Sequence, residues 1–437
     1  MAAASAAIPA ATQPLSPADH TLDIASYALE VAPRRIVKTT AYNRQVPGPL
    51  LRLKEGRPVT IDVTNSSANP EIVHWHGLFL PSEIDGAMEE GTPHIAPGGT
   101  ARYTFTPSPS GLRWYHTHTF AGSDLRKGLY TGQFGVLFIE PREDPARYDQ
   151  EFFLTLHDWN GHLYSSDDGS MNPSYDISTI NARTLGFGDP LRVKSGQRVL
   201  LHIVNTSATD PHWIALAGHQ FEVIALDGNP VPRPQRVPML CLSPAERVSA
   251  IVEMNNPGVW ILGEVRKRVM AAGMGIVVEY GNQSGKPRWQ QPDNLTWDYL
   301  QFGAATPPTT PTPDIIEIPL VFESKFAGHG AMDRWTINGK SFPNTEAITL
   351  HRGQRYRLLF KNPSADDHPV HLHRHTFELR RISSRPETHG ILKDTVLVAS
   401  QTEVDVEFTA DNPGLTLFHC HQQDHMDMGF MMLFRYA

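Results

Sequence analysis

Cysteine is almost absent from this chain of 437 residues, which has only Cys241 and Cys420. Two thiols cannot build a disulfide framework, so the redox compartment must be read from something else. Long apolar runs are also missing, and none reaches the roughly 18 residues that a membrane span needs. Basic stretches are lacking: 38 Lys and Arg stand against 46 Asp and Glu, for a formal net charge of −8. That balance excludes nucleic acid and anionic lipid as expected partners. Sustained helical periodicity is absent too, which excludes a coiled coil.

Turn formers and histidine are plentiful. The chain has 36 prolines and 33 glycines, near one residue in six, which suits a turn-rich β protein. It also has 21 histidines, enough to justify a search for ligand spacing. At about 150 residues per domain the length predicts two or three domains, each able to bury a core. Residues 1–17 (MAAASAAIPAATQPLSP) are small and Pro-containing, with no positive start. They read equally as the stub of an export signal and as an unstructured beginning.

One unit occurs three times. Residues 51–68 (LRLKEGRPVTIDVTNSSA), 191–208 (LRVKSGQRVLLHIVNTSA) and 348–365 (ITLHRGQRYRLLFKNPSA) share a strand, a tight glycine turn and a half-buried strand of period two. The copies start 140 and 157 residues apart, so each is a domain-sized duplication. Second matches at 97–118, 243–264 and 399–421 all run strand, turn, strand. Short alternating strands broken by Gly and Pro predict an all-β fold of three consecutive β-sandwich domains. The expected bounds are 18–144, 145–280 and 315–437, with 281–314 as a linker ending in AATPPTTPTPD.

The histidines occupy two repeated places. The first domain carries His74-Trp75-His76 and His116-Thr117-His118; the third carries His368, His371-Leu372-His373, His419-Cys420-His421 and His425. In the second domain the paired spacing is lost, His212 and His219 read as remnants, and the terminal counterpart at 259–262 (VWIL) is apolar. The sandwich therefore does not need these histidines in order to fold. Residues i and i+2 of a strand face one side about 6–7 Å apart, so each pair can serve one metal or two neighbouring ones. Neither domain alone saturates a cluster, which predicts that the first and third meet around it. Imidazole suits Zn, Cu, Fe or Ni, whereas Cys420 with His368 and His425 makes a His₂Cys set, the blue-copper arrangement. Cys420 points away from its two histidine neighbours, so one strand serves two centres.

HWHG (74–77), HTH (116–118), HPVHLH (368–373) and HCHQQDHMDMGF (419–430) resemble the four copper signatures of the multicopper oxidase family. The family includes laccases and bacterial metal oxidases, and the resemblance spans the chain. It implies cupredoxin-like Greek-key sandwiches holding four copper ions. Type 1 copper falls to His368, Cys420 and His425, type 2 to His74 and His371, and the type 3 pair to His76, His116, His118, His373, His419 and His421. It also implies one-electron oxidation of a small reducing substrate coupled to reduction of O₂ to water, in the periplasm or outside the cell. Laccase-type phenol or aromatic amine donors are the leading expectation, ahead of Cu(I), Fe(II) or Mn(II), and a non-enzymatic copper-binding protein is the remaining alternative. Phe430 falls at the axial position of type 1 copper, where a phenyl ring donates nothing. Asp85, in a turn before Gly86, matches an acidic residue that the family uses to supply protons, and Asp424 is a second, weaker candidate. His94, His157, His162, His202, His329, His351 and His389 lack ligand spacing, His375 is set aside as a neighbour of ligands, and Cys241 reads as a buried free thiol. The loop 128–140 (GLYTGQFGVLFIE) is longer than the family pattern.

Overall fold

The computed structural model describes residues 16–143, 147–306 and 314–437. The export-stub reading of residues 1–17, apart from its last two, lies outside the described residues, as does the Pro/Thr stretch at 307–313.

Strands dominate, and three β-sandwiches follow one another along the chain. In the first, one sheet orders Arg35–Tyr42, His20–Ala32, Val59–Asn65 and Thr100–Phe105. The facing sheet orders Gly48–Lys54, Phe134–Glu140, Gly111–Thr117 and Val73–His74. The same plan recurs twice. In each copy the first strand of the facing sheet lies parallel to the last: Gly48–Lys54 on Phe134–Glu140, Leu191–Val193 on Gly275–Tyr280, and Ile348–Leu350 on Met431–Tyr436. Such parallel pairs need crossovers between the two sheets, which is the Greek-key connection.

Period-two patterning does the folding in the outer copies. In Val59–Asn65 the residues Val59, Ile61 and Val63 point inward, and in Arg355–Asn362 it is Tyr356, Leu358 and Phe360. The matching strand of the middle copy, Arg198–Asn205, differs from the half-buried expectation and is covered on both faces. The cause is the neighbour: His202 packs against Phe138 of the first sandwich and stacks on Phe153. Backbones also meet there. A Cβ on Gly111, whose φ is +109°, would stand 1.9 Å from the Gly228 carbonyl oxygen, so only glycine allows the approach.

Residues 281–306 do not simply bridge two domains. Asp298 caps the short helix Tyr299–Phe302 by accepting from the Leu300 amide at 3.0 Å, and Tyr299 and Phe302 are buried in the apolar cluster shared by the second and third sandwiches. The 128–140 loop makes a short helical turn, Gly128–Tyr130, before entering the strand Phe134–Glu140. Its Leu129 amide donates to Gln423 Oε1 of the third sandwich at 2.9 Å, which pins it across the interface. Among the described residues no helix is long and apolar enough to cross a membrane.

Candidate metal centre

Strand register places the histidines. In the first sandwich Val73 pairs with Thr117 and His74 with His116; in the third, Val370 pairs with Cys420 and His371 with His419. In the second, Ile214 pairs with Glu264. Thr117, Glu264 and Cys420 are therefore one position in three copies, and Glu71, His212 and His368 are another. This corrects the expectation of an apolar terminal site at 259–262. The counterpart of Cys420 is a buried glutamate, which binds His212 Nδ1 at 3.1 Å while Asp158 holds Nε2 at 2.9 Å. Burial works against a charged His212, yet the two carboxylates outweigh it and raise the imidazole to about 9. Both ring nitrogens then donate, so no lone pair is left for a metal.

In the outer copies the lone pairs are free and they converge. The first and third sandwiches interleave their rings, with His74 stacked on His373 at 4.0 Å and His76 on His371 at 3.8 Å. Ligand atoms gather in three buried histidine sets that each span both domains: His74, His76 and His371; His76, His116 and His421; His118, His373 and His419. A fourth set, His368, Cys420 and His425, lies within the third domain, with Cys420 Sγ 3.8 and 3.7 Å from the two Nδ1 atoms.

Hydrogen bonds behind the rings decide which nitrogen points forward. His74 Nδ1 donates to the Asp85 carbonyl at 2.9 Å, His116 Nδ1 to that of Thr117 at 2.8 Å, His371 Nδ1 to that of Asp394 at 2.7 Å, and His419 Nδ1 to that of Cys420 at 2.8 Å. His373 Nδ1 donates to the Asp85 carboxylate at 2.8 Å. Each of these rings thus presents an Nε2 lone pair. His373 Nε2 and His419 Nε2 face each other at 3.0 Å, an approach of two acceptors that makes sense only around a cation. His74 Nε2, His118 Nε2, His371 Nε2 and both nitrogens of His421 are buried without any partner. At about 1–3 kcal/mol for each orphaned group, such a nest rivals the stability of a whole domain unless something binds there. The donor set therefore fits metal ions.

Burial first and neighbouring imidazoles second hold His76, His116, His118, His371 and His419 well below the ordinary histidine value. The same causes bring His373 to about 4, and burial alone dominates at His425, also about 4. At neutral pH these seven rings are uncharged and ready to ligate.

Asp85 is buried against the cluster. Burial opposes its charge, but His74 and His373 outweigh that and keep its carboxylate ionised far into acid. Glu90, absent from the sequence reading, is forced up by burial and by the adjacent Asp85. Asp394, with Arg247, was also missed; a charged Lys393-Asp394 inside the apolar run 391–398 was its one signal. Around Cys420, Phe430 is fully buried with its ring 4.8 Å from that of His368, and Trp335 lies 4.2 Å from the His425 ring. Met431 and Met432 pack into apolar clusters. Asp424 is buried beside His425 and lifted by burial to about 6. His375 donates to or accepts from Tyr436 at 2.7 Å and joins no set. His94, His162, His329 and His351 are exposed, and the buried His157, His202 and His389 also stand outside the four sets. Cys241 is a buried free thiol.

Comparison with known proteins agrees with this architecture. Profiles described as multicopper oxidase match residues 27–144, 150–276 and 319–437. Multicopper oxidase MmcO of Mycobacterium tuberculosis is 31% identical over 90% of this chain and 82% of its own length. Laccase-4 of Thanatephorus cucumeris is 26% identical, covering 87% of this chain and 82% of that one. The crystal structure of Fet3p, titled a multicopper oxidase that functions in iron import, superposes with a TM-score of 0.83 at 20% identity, over 96% of this chain and 90% of that one. The chain belongs to the multicopper oxidase family, whose members are copper oxidoreductases that use O₂.

Two expectations follow. Below about 6.5 the unfolded chain protonates histidines that the folded chain keeps neutral, so stability of the metal-free protein falls as pH drops from about 6.5 towards 4. Glu71 and Asp427, both raised to about 7 by burial, pull the other way but are outnumbered. Denaturant midpoints at pH 7.5 and 5 check this, and an unchanged midpoint would contradict it. Copper at a thousandfold over its dissociation constant should add about 4 kcal/mol, read as a rise in the calorimetric midpoint that a chelator reverses.

Proposed function

We propose that this chain is a laccase-type oxidase, taking single electrons from small phenolic or aromatic amine donors and passing them to O₂. The observation that carries the reading is Cys420 on one strand between His419 and His421: its sulfur faces one ligand set while its neighbours face two others. We assign His368, Cys420 and His425 to type 1 copper, and His74 and His371 to type 2. The type 3 pair falls to His76, His116 and His421 on one side and His118, His373 and His419 on the other, for four ions per chain. Copper when bound supplies one-electron acceptance at the cysteine site and reduction of O₂ to water at the histidine nest.

The chain's own residues supply the rest. Cys420 is bonded through the main chain to His419 and His421, so an electron accepted at the cysteine site would have a short covalent route into the histidine nest. The ring nitrogens are aimed in advance by the carbonyls behind them, so little reorganisation accompanies turnover. Reduction to water consumes protons, and Asp85 and Glu90 set two carboxyl groups 2.8 and 3.5 Å from His373 Nδ1, where a proton can be handed on. Phe430, with its ring 4.8 Å from that of His368, offers no donor atom to the set that would hold type 1 copper, and this would favour a high reduction potential there. The 12 methionines are dispersed apart from the last few, without the Met-rich insert that suits Cu(I). This chemistry belongs outside the cytosol, in the periplasm or in secreted form.

One observation favours a second reading, oxidation of metal ions. Asp366 faces His425 and feels the charges of Asp333, Asp367 and Asp424 as well, an acidic field that draws cations. A donor panel of a substituted phenol, Fe(II), Cu(I) and Mn(II) on copper-loaded protein separates the two. The laccase reading expects the phenol to be favoured and Asp366→Asn to leave its KM unchanged. Preference for a metal ion, with a KM raised several-fold by Asp366→Asn, would overturn it.

Two substitutions test the assigned roles. Asp85→Asn should slow O₂ reduction about 10²-fold with the blue colour kept, and unchanged turnover removes the role. Phe430→Met should lower the type 1 potential by on the order of 60 mV, a tenfold shift towards the oxidised ion. Redox titration of the blue band reads it.

A further inference from the structure

His76 is turned the other way from its neighbours. His74, His116, His371, His373 and His419 all have Nδ1 tied back and Nε2 forward, whereas His76 has Nε2 tied back to the Asp394 carboxylate at 3.1 Å and Nδ1 facing His116 Nε2 at 3.4 Å. We propose that Asp394 is the positioning residue that makes His76 ligate through Nδ1, and that Arg247 and Arg113, from the other two sandwiches, hold it there. The proposal rests on the copper reading above.

The chemistry at His76 Nε2 is a competition. Arg247 Nη1 stands 3.2 Å from the same nitrogen, and a guanidinium can only donate. While the carboxylate is present, Nε2 carries the proton and gives it to Asp394, and Arg247 is occupied by the carboxylate through two bonds of 2.6 and 2.5 Å. Without an anionic acceptor, Arg247 would bond to an Nε2 lone pair, the ring proton would move to Nδ1, and the nitrogen facing the metal would be closed. Thr395 Oγ1, 3.3 Å from Nε2, gives its own proton to Asp394 Oδ1 at 3.1 Å and so belongs to the same network.

The same residue sets a second ring by a different atom, since its carbonyl accepts from His371 Nδ1 and so presents His371 Nε2. His76 and His371 are one of the two stacked pairs joining the first and third sandwiches, so Asp394 fixes both members of that pair in opposite senses. Its own supports come from all three domains. Arg113, of the first, lies 3.5 Å from Asp394 Oδ2 and also donates to the Asp227 carbonyl, while Asp227 Oδ2 receives the Asp394 amide at 3.3 Å. Gly77, just after His76 with φ +84°, has no room for a side chain: a Cβ would stand 2.8 Å from Asp394 Oδ2 and 2.9 Å from Arg247 Nη2. The HWHG turn is thus moulded onto the clasp.

The test compares copper-loaded wild type, Asp394→Asn and Asp394→Asn with Arg247→Met. In the single variant the amide oxygen goes to Arg247 and its NH₂ faces His76. The blue band should persist, copper should fall from four ions per chain to three, and the type 3 ion left without its partner should add a paramagnetic signal. Removing the competing guanidinium should restore at least half of the lost copper. A single variant with full copper and an unchanged paramagnetic spectrum overturns the proposal. So does a double variant no better than the single one, which would make the clasp a domain fastener only. Nitrogen NMR of the metal-free wild type keeps the question answerable if the variants do not fold: His76 should carry its proton on Nε2, and a proton on Nδ1 refutes the idea. A wild type that is blue separates failure here from failure of the copper reading, whereas one that binds no copper overturns both.

Discussion

Mutually facing lone pairs hold the account together. Imidazoles from two domains are pressed nitrogen to nitrogen in a buried interior, and backbone carbonyls behind them forbid the rearrangement that would pair them with each other. Such an arrangement stores free energy that only cations release. It also explains why the outer sandwiches meet through their histidine strands: each supplies rings to all three histidine sets, and neither can complete one.

The middle sandwich shows the same frame put to another use. Counting six residues from Gly111, Gly258 and Gly414 reaches Thr117, Glu264 and Cys420. Where the third copy has a sulfur beside two imidazoles, the second has a glutamate beside a protonated histidine, and the imidazolium itself is the buried cation. The first copy has Glu71 and Thr117 there. One scaffold position thus carries a candidate metal-ligating set, an ionic pair or a polar pair, according to two or three residues. The middle copy also places Arg247 and Asp227 against the cluster, so a domain without ligands still shapes the site.

Much of this was legible in the sequence because strands alternate faces. His-x-His at four places, with Cys420 between two of the histidines, gave the candidate ligands that the structure brings together, and three glycine-turn repeats gave the sandwiches. How the rings group is another matter, since that His76 shares a set with His421 depends on how two domains dock. Asp394 and Glu90 carry no spacing signal, and their meaning arises only when chain segments some 300 residues apart come together. The apolar reading of 259–262 stopped two residues short of Glu264. The linker reading missed Tyr299 and Phe302 because two apolar residues in a polar stretch make no period, although they anchor it.

The most direct measurement is the number of copper ions bound per chain, counted on fully loaded protein together with its visible spectrum. Four ions and an intense blue colour that disappears in Cys420→Ser are predicted. A colourless protein, or one that saturates with a single ion, would contradict the account.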